Sequence, residues 1–144
     1  MHTLEQVLRH RNLLAAQPGD PVLDVLRRMT QAKVGAVTVL DGEKLVGVFS
    51  ERDLMTRVVV PGLDPATTRV AEVMSREVVT AELREPREQC LEKMQRHGCR
   101  HLPVMAGGRV IAMLSMRDLL RDEIEEQVEE IRHLRAYVHQ TPPA

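Results

Sequence analysis

The sequence predicts a mixed α/β (α+β) fold built from two β-α-β-β-α repeats and closed by one long helix. Three observations carry this. The chain repeats itself: Ser50-Glu51-Arg52-Asp53-Leu54 returns 65 residues later as Ser115-Met116-Arg117-Asp118-Leu119. Sliding residues 3–54 onto 68–119 needs no gap and makes twelve pairs identical, where chance gives about three. Both copies then pass through the same order of strand and helix signals.

Each copy opens on a short apolar patch, Leu13-Leu14-Ala15 or Val78-Val79-Thr80. Pro21 and Pro86 follow, each suited to a helix start, where a missing N–H costs nothing. Val22, Val25, Leu26 and Met29 recur at helical spacing, and Cys90, Leu91 and Met94 take the equivalent places. Two apolar runs come next, Ala36–Leu40 and Leu45–Phe49, around the hairpin signal Asp41-Gly42. The second copy gives His101–Met105 and Val110–Leu114 around Gly107-Gly108. Pro103 cannot donate to a ladder, so that strand is expected at a sheet edge there. Ser50 and Ser115 each start a helix. Past the second copy, Leu120, Ile124, Val128, Ile131, Leu134 and Val138 mark one face of a long charged helix. That stripe packs either on a partner chain or back on its own domain. The organisation read from this is residues 1–60 and 68–125 as two domains, 61–67 as linker, and 126–144 as a helical extension with a fraying tail.

Bulk properties narrow the function. One copy of roughly 60 residues is marginal alone, whereas two packed together form a viable core. The only aromatics are Phe49 and Tyr137 and the net charge is −1, so neither a stacking platform nor a basic footprint for nucleic acid or membrane is expected. No apolar run approaches the length of a membrane span, and Met1–Glu5 carries no secretory pattern. Cys90 and Cys99 stand where the first copy has Val25 and Val34, which reads as buried thiols in a reducing compartment, the cytoplasm.

Two copies that each close on Gly/Ala, two apolar residues and Ser-x-Arg-Asp-Leu resemble a tandem pair of CBS domains, a Bateman module. Arg100-His101-Leu102-Pro103-Val104 resembles the family's second-strand motif, and the likeness covers about residues 3–125. The chain looks like a small stand-alone bacterial CBS-pair protein. The resemblance implies two copies packed about a pseudo-twofold axis, with two clefts that take AMP, ADP, ATP, NAD or S-adenosylmethionine. It also implies a homodimer formed through helices, and regulatory signalling to a protein partner rather than catalysis.

The residues suit a nucleotide on their own chemistry. A helix starting at Ser50 or Ser115 offers N–H groups and a positive dipole end to a phosphate. The serine hydroxyl donates, and Arg52 or Arg117 adds a charge-assisted contact. Asp53 or Asp118 is an acceptor suited to ribose hydroxyls. The adenine is expected beside Ala36 and Val37 in the first copy and beside His101 and Leu102 in the second. Backbone groups near Ala15 and Thr80 would read its edge. Arg100 and Pro103, against Gly35 and Thr38, make the two sites non-equivalent. Ser-x-x-Asp is also an ordinary helix cap, but capping does not explain an arginine at the same place in both copies. The rival to a nucleotide sensor is a ligand-free dimeric adaptor acting through the C-terminal helix.

Other clusters carry no comparable chemistry. His97, Cys99 and His101 lack a second ligand group at zinc spacing. His133 and His139 do not share a helix face. The acids of 118–130 read as a solvated face, and no nucleophile has a general base placed beside it. No metal, catalytic residue or enzyme activity is expected.

Overall fold

The computed structural model describes residues 3–8 and 13–140. The elements run α1 (Leu4–Leu8), β1 (Ala15–Ala16), α2 (Val22–Ala32), β2 (Ala36–Asp41), β3 (Lys44–Ser50) and α3 (Glu51–Asp53), which continues as a π-helical turn over Leu54–Val59. The second half follows as α4 (Val70–Val73), β4 (Ala81–Glu82), α5 (Arg87–His97), β5 (His101–Ala106), β6 (Arg109–Ser115) and α6 (Met116–Gln140). Two three-stranded sheets form, β1-β2-β3 and β4-β5-β6. In each, the first pair is parallel and the second an antiparallel hairpin.

The 65-residue offset survives folding. Ala16 pairs with Val39 and Ala81 with Val104. The hairpins shift register after Val39 and after Val104. Helices α2 and α5 both end in a left-handed residue, Lys33 at φ 57° and Gly98 at φ 65°. Glycine takes that conformation without the Cβ clash that Lys33 bears. The edge expected at Pro103 exists only locally. β5 is the central strand, but its β4 neighbour begins opposite Val104, so Pro103 is flanked by β6 alone.

The sequence pattern missed the short helices that precede each sheet, and they decide how the copies join. Leu4 and Leu8 of α1 lie in the core of the second copy, with Ala81, Met94, Leu102, Leu114 and Leu119. Val70 and Val73 of α4 lie in the core of the first, with Val22, Met29, Val39 and Phe49. The copies therefore exchange helices, and each core is incomplete without the other. Backbone bonds repeat the exchange. Val22 and Leu23 donate to the carbonyls of Thr68 and Pro65, while Val70 and Ala71 donate to those of Asp20 and Pro18. Each segment thereby satisfies the orphan N–H groups at the other's helix start. Val48 and Ser75 then exchange both backbone bonds, at 3.0 and 2.9 Å. Gly47 permits this close approach, because a side chain there would strike Met74 and the Ser75 carbonyl.

Helix α6 is anchored at its start. Leu119 is buried, and Arg87 of α5 reaches both Asp122 and Glu126 at 2.7 Å. The apolar stripe does not fold back on the domain: Ile124, Val128, Ile131, Leu134 and Val138 are 41–66% exposed. The expected fraying tail, residues 141–144, lies outside the described residues. Among the described residues no helix is long and apolar enough to cross a membrane.

Candidate nucleotide-binding cleft

A cleft of about 690 Å³ opens between the two copies. The first copy contributes Gly35, Val48 and the helix start Ser50, Glu51, Arg52 and Asp53. The second contributes Ser75 and Glu77–Val79 from the chain leading into β4, His97–His101 from the end of α5, and Pro103. Of the residues singled out in the sequence, Ser50, Arg52, Asp53, Arg100, His101 and Pro103 meet here, three from each copy.

Asp53 is the most constrained of them, at 6% exposed. Its Oδ2 accepts from the Ser50 backbone N–H at 3.0 Å and the Ser50 hydroxyl at 3.1 Å, and its Oδ1 accepts from the Ser75 hydroxyl at 3.0 Å. The Asp53 N–H returns a bond to Ser50 Oγ at 3.3 Å, completing a capping box. Arg57 Nε stands 3.8 Å from Oδ1. A carboxylate has about four acceptor positions, and the protein fills three. A ribose hydroxyl gains a second place only when Ser50 or Ser75 turns its hydroxyl away. Capping thus takes up most of the acceptor capacity of this carboxylate.

The remaining charges come from both copies. Arg52 is exposed and donates to the Gly98 carbonyl across the join at 3.1 Å. Glu51 and His101 approach from opposite copies over Gly35, where a Cβ would sit 3.4 Å from Glu51 Cδ and 3.5 Å from His101 Cε1. Burial lowers the His101 pKa below its ordinary value, against the pull of Asp118 and Glu51 and with a smaller push from Arg100. The ring is therefore neutral near pH 7. Two guanidinium groups, Arg52 and Arg100, face three carboxylates, Glu51, Asp53 and Glu77. Val48, Val78, Val79 and Pro103 supply apolar wall.

The other singled-out residues lie elsewhere. Ala36, Val37 and Leu102 are buried in the sheets. The carbonyl of Ala15 accepts from Arg28, and that of Thr80 accepts from Lys93 at 2.9 Å, the same contact in both copies. Ser115 and Asp118 form the second cap: Asp118 Oδ2 accepts from the Ser115 N–H at 3.1 Å, and Ser115 Oγ accepts from the Asp118 N–H at 3.0 Å. Asp118 is 6% exposed and Arg117 is exposed. The repeat relates Ser75 and Glu77 to His10 and Asn12. Residues 10 and 12, which the repeat would set beside the Ser115–Asp118 corner, lie outside the described residues. Sequence reasoning missed Ser75, Glu77, Val78 and Val79 as a wall. The repeat gave no signal, since neither Ser75 nor Glu77 matches its counterpart. Among the described residues no cluster of His, Cys, Asp and Glu is placed to hold a metal.

The CBS domain family model matches residues 4–60 and again 70–125. The chain belongs to the CBS-domain family. It is 32% identical over 126 residues to the mitochondrial CBS domain-containing protein CBSX3 of Arabidopsis thaliana, covering 83% of this chain and 60% of that protein's length. A CBS-domain protein from Burkholderia ambifaria superimposes with a TM-score of 0.83 at 31% identity, covering 88% of this chain and 96% of that one. A CBS domain protein from Pyrobaculum aerophilum, solved in complex with AMP, superimposes at 0.74 with 25% identity, covering 81% and 89%.

Proposed function

We propose that this CBS pair is a regulatory sensor that binds an adenine nucleotide in the cleft between its two copies and passes the state to a partner protein. One observation carries the reading. The Asp53 carboxylate, the Ser50 hydroxyl and the Arg52 and Arg100 guanidinium groups converge on a cleft of about 690 Å³ with apolar flanks. That size suits a nucleotide, and the AMP complex of the Pyrobaculum relative supports the ligand class. The ribose meets Asp53, the phosphate meets Ser50 and the arginines, and the adenine lies along Val78, Val79 and Pro103. Among AMP, ADP, ATP, NAD and S-adenosylmethionine, the three carboxylates disfavour the polyphosphates. AMP or the sulfonium ligand is the better fit.

Both copies line the cleft, so a ligand that prefers one packing of the copies shifts them by its differential affinity. In this reading the protein is a cytoplasmic homodimer without catalytic activity. The second cleft, built on Ser115, Arg117 and Asp118, is a second site of different preference. The test is calorimetry with each nucleotide on the parent chain and on Asp53→Asn, which keeps an acceptor for Ser50 or Ser75 but loses the charge. Binding that weakens tenfold or more in a folded variant supports the reading. Unchanged affinity removes Asp53 from the site. The absence of any nucleotide-induced thermal shift in the parent turns the reading to a ligand-free adaptor acting through the exposed face of α6.

A further inference from the structure

We infer that Arg57 is a positioning residue for the nucleotide cleft, holding the wall at residues 75–79 in register with the Asp53 carboxylate. This role rests on the sensor reading above: Arg57 lies outside the cleft lining and acts through Asp53 and Ser75. Its guanidinium joins two segments that come from different copies. Arg57 Nη1 donates to the carbonyls of Met74 at 2.7 Å and Val73 at 3.4 Å, and Nε stands 3.8 Å from Asp53 Oδ1. Those carbonyls stand at the end of α4, where a helix leaves acceptors without partners. Ser75 follows directly, and its hydroxyl donates to the same Asp53 oxygen at 3.0 Å. One side chain therefore fixes both where the wall begins and how the carboxylate is turned.

The backbone is shaped to bring Arg57 there. Over Leu54–Val59 the helix widens to a π turn, with the Val60 N–H bonded to the Met55 carbonyl at 3.0 Å. Single π turns of this kind frequently mark functional sites. Burial shows what the wider turn does. In the first copy the next buried position after Asp53 is Val58, five residues on. In the second copy Asp118, Leu119 and Asp122 are buried, at α-helical steps. The repeat sets Arg57 on Asp122. The extra residue in the π turn thus carries Val58 into the first core and leaves Arg57 outside it, beside α4. Asp122 instead stays buried and accepts from Arg87 at 2.7 Å. A carboxylate has no proton to donate to a helix carbonyl, so position 122 gives the Ser115–Asp118 corner no such clamp. The two corners share Ser-x-Arg-Asp-Leu and differ by a reversal of charge one turn later.

The experiment titrates the full chain with AMP and, separately, with S-adenosylmethionine, in low and high salt, and records Tm for every variant. Arg57→Met keeps the apolar stem and removes the charge and the donors, whereas Arg57→Lys restores one donor group. Arg57→Met is expected to weaken the tighter ligand about tenfold, the loss of one aligned charge-assisted bond. The ratio to the parent should be equal at both salt concentrations, and Arg57→Lys should recover part of the loss. Ser75→Ala acts on the same carboxylate oxygen, so in the double variant the two losses should combine to less than their product. A ratio that shrinks in high salt means long-range attraction of the phosphate, and the positioning role then fails. Losses that multiply in full, or a lower Tm with affinity unchanged, would equally overturn it. A parent that binds neither compound overturns the sensor reading itself, and this role with it.

Discussion

Gly47→Ala places one methyl at the join between the copies, and its cost follows from distances. A Cβ at Gly47 falls 2.5 Å from Met74 Sδ, 2.9 Å from Met74 Cγ and 2.9 Å from the Ser75 carbonyl oxygen. Non-bonded carbons prefer about 3.5–4.0 Å, so the thioether has to move by roughly 1 Å and the Ser75 backbone by about half that. Met74 is 4% exposed and enclosed by the first core. Ser75 is held by both backbone bonds to Val48. Overpacking of this kind costs about 1–3 kcal/mol. Against it stands the ~0.5–1 kcal/mol gained by removing a flexible glycine from the unfolded chain. The net loss is about 1–2 kcal/mol, which lowers Tm by roughly 3–7 °C in a chain this size. Circular dichroism during heating measures it. Because Ser75 also donates to Asp53, AMP affinity should fall with stability. A Tm at or above that of the parent would refute the view that the Val48–Ser75 junction holds the copies together.

Two further outcomes follow from the titratable groups. The folded His101 pKa lies below its ordinary 6.5, so its contribution is present above pH 6.5 and is lost as pH falls toward the depressed native value. Between pH 7 and pH 5 the parent should lose more Tm than His101→Gln, and equal losses would remove His101 from the account. Burial raises the Cys90 thiol to about 11 and also raises Cys99. Iodoacetamide at pH 8 should therefore spare buried Cys90 until the chain unfolds and label half-buried Cys99 slowly. Because Cys99 lines the cleft, AMP should slow its labelling further, which mass spectrometry reads directly.

The amino-acid sequence by itself determined the duplication, the order of the strands and the two long helices of the cores, and the capped corners at Ser50–Asp53 and Ser115–Asp118. These rest on local rules, alternation, helical spacing and side chain to backbone capping, that act within a few residues and are written twice. It also marked the stripe on α6, but left open whether that face turns inward. Only the tertiary structure decided what lies across from each corner. Ser75, Glu77, Val78 and Val79 face Ser50 and Asp53 because α1 and α4 cross into the opposite cores. The short helical segments that do so carry too few turns for a periodicity to show. Ala36, Val37 and Leu102 looked like cleft walls on their strands, yet the packing of helices on both sheets buries them. The site belongs to the contact between copies, and such contacts are long-range: no spacing within either copy encodes them.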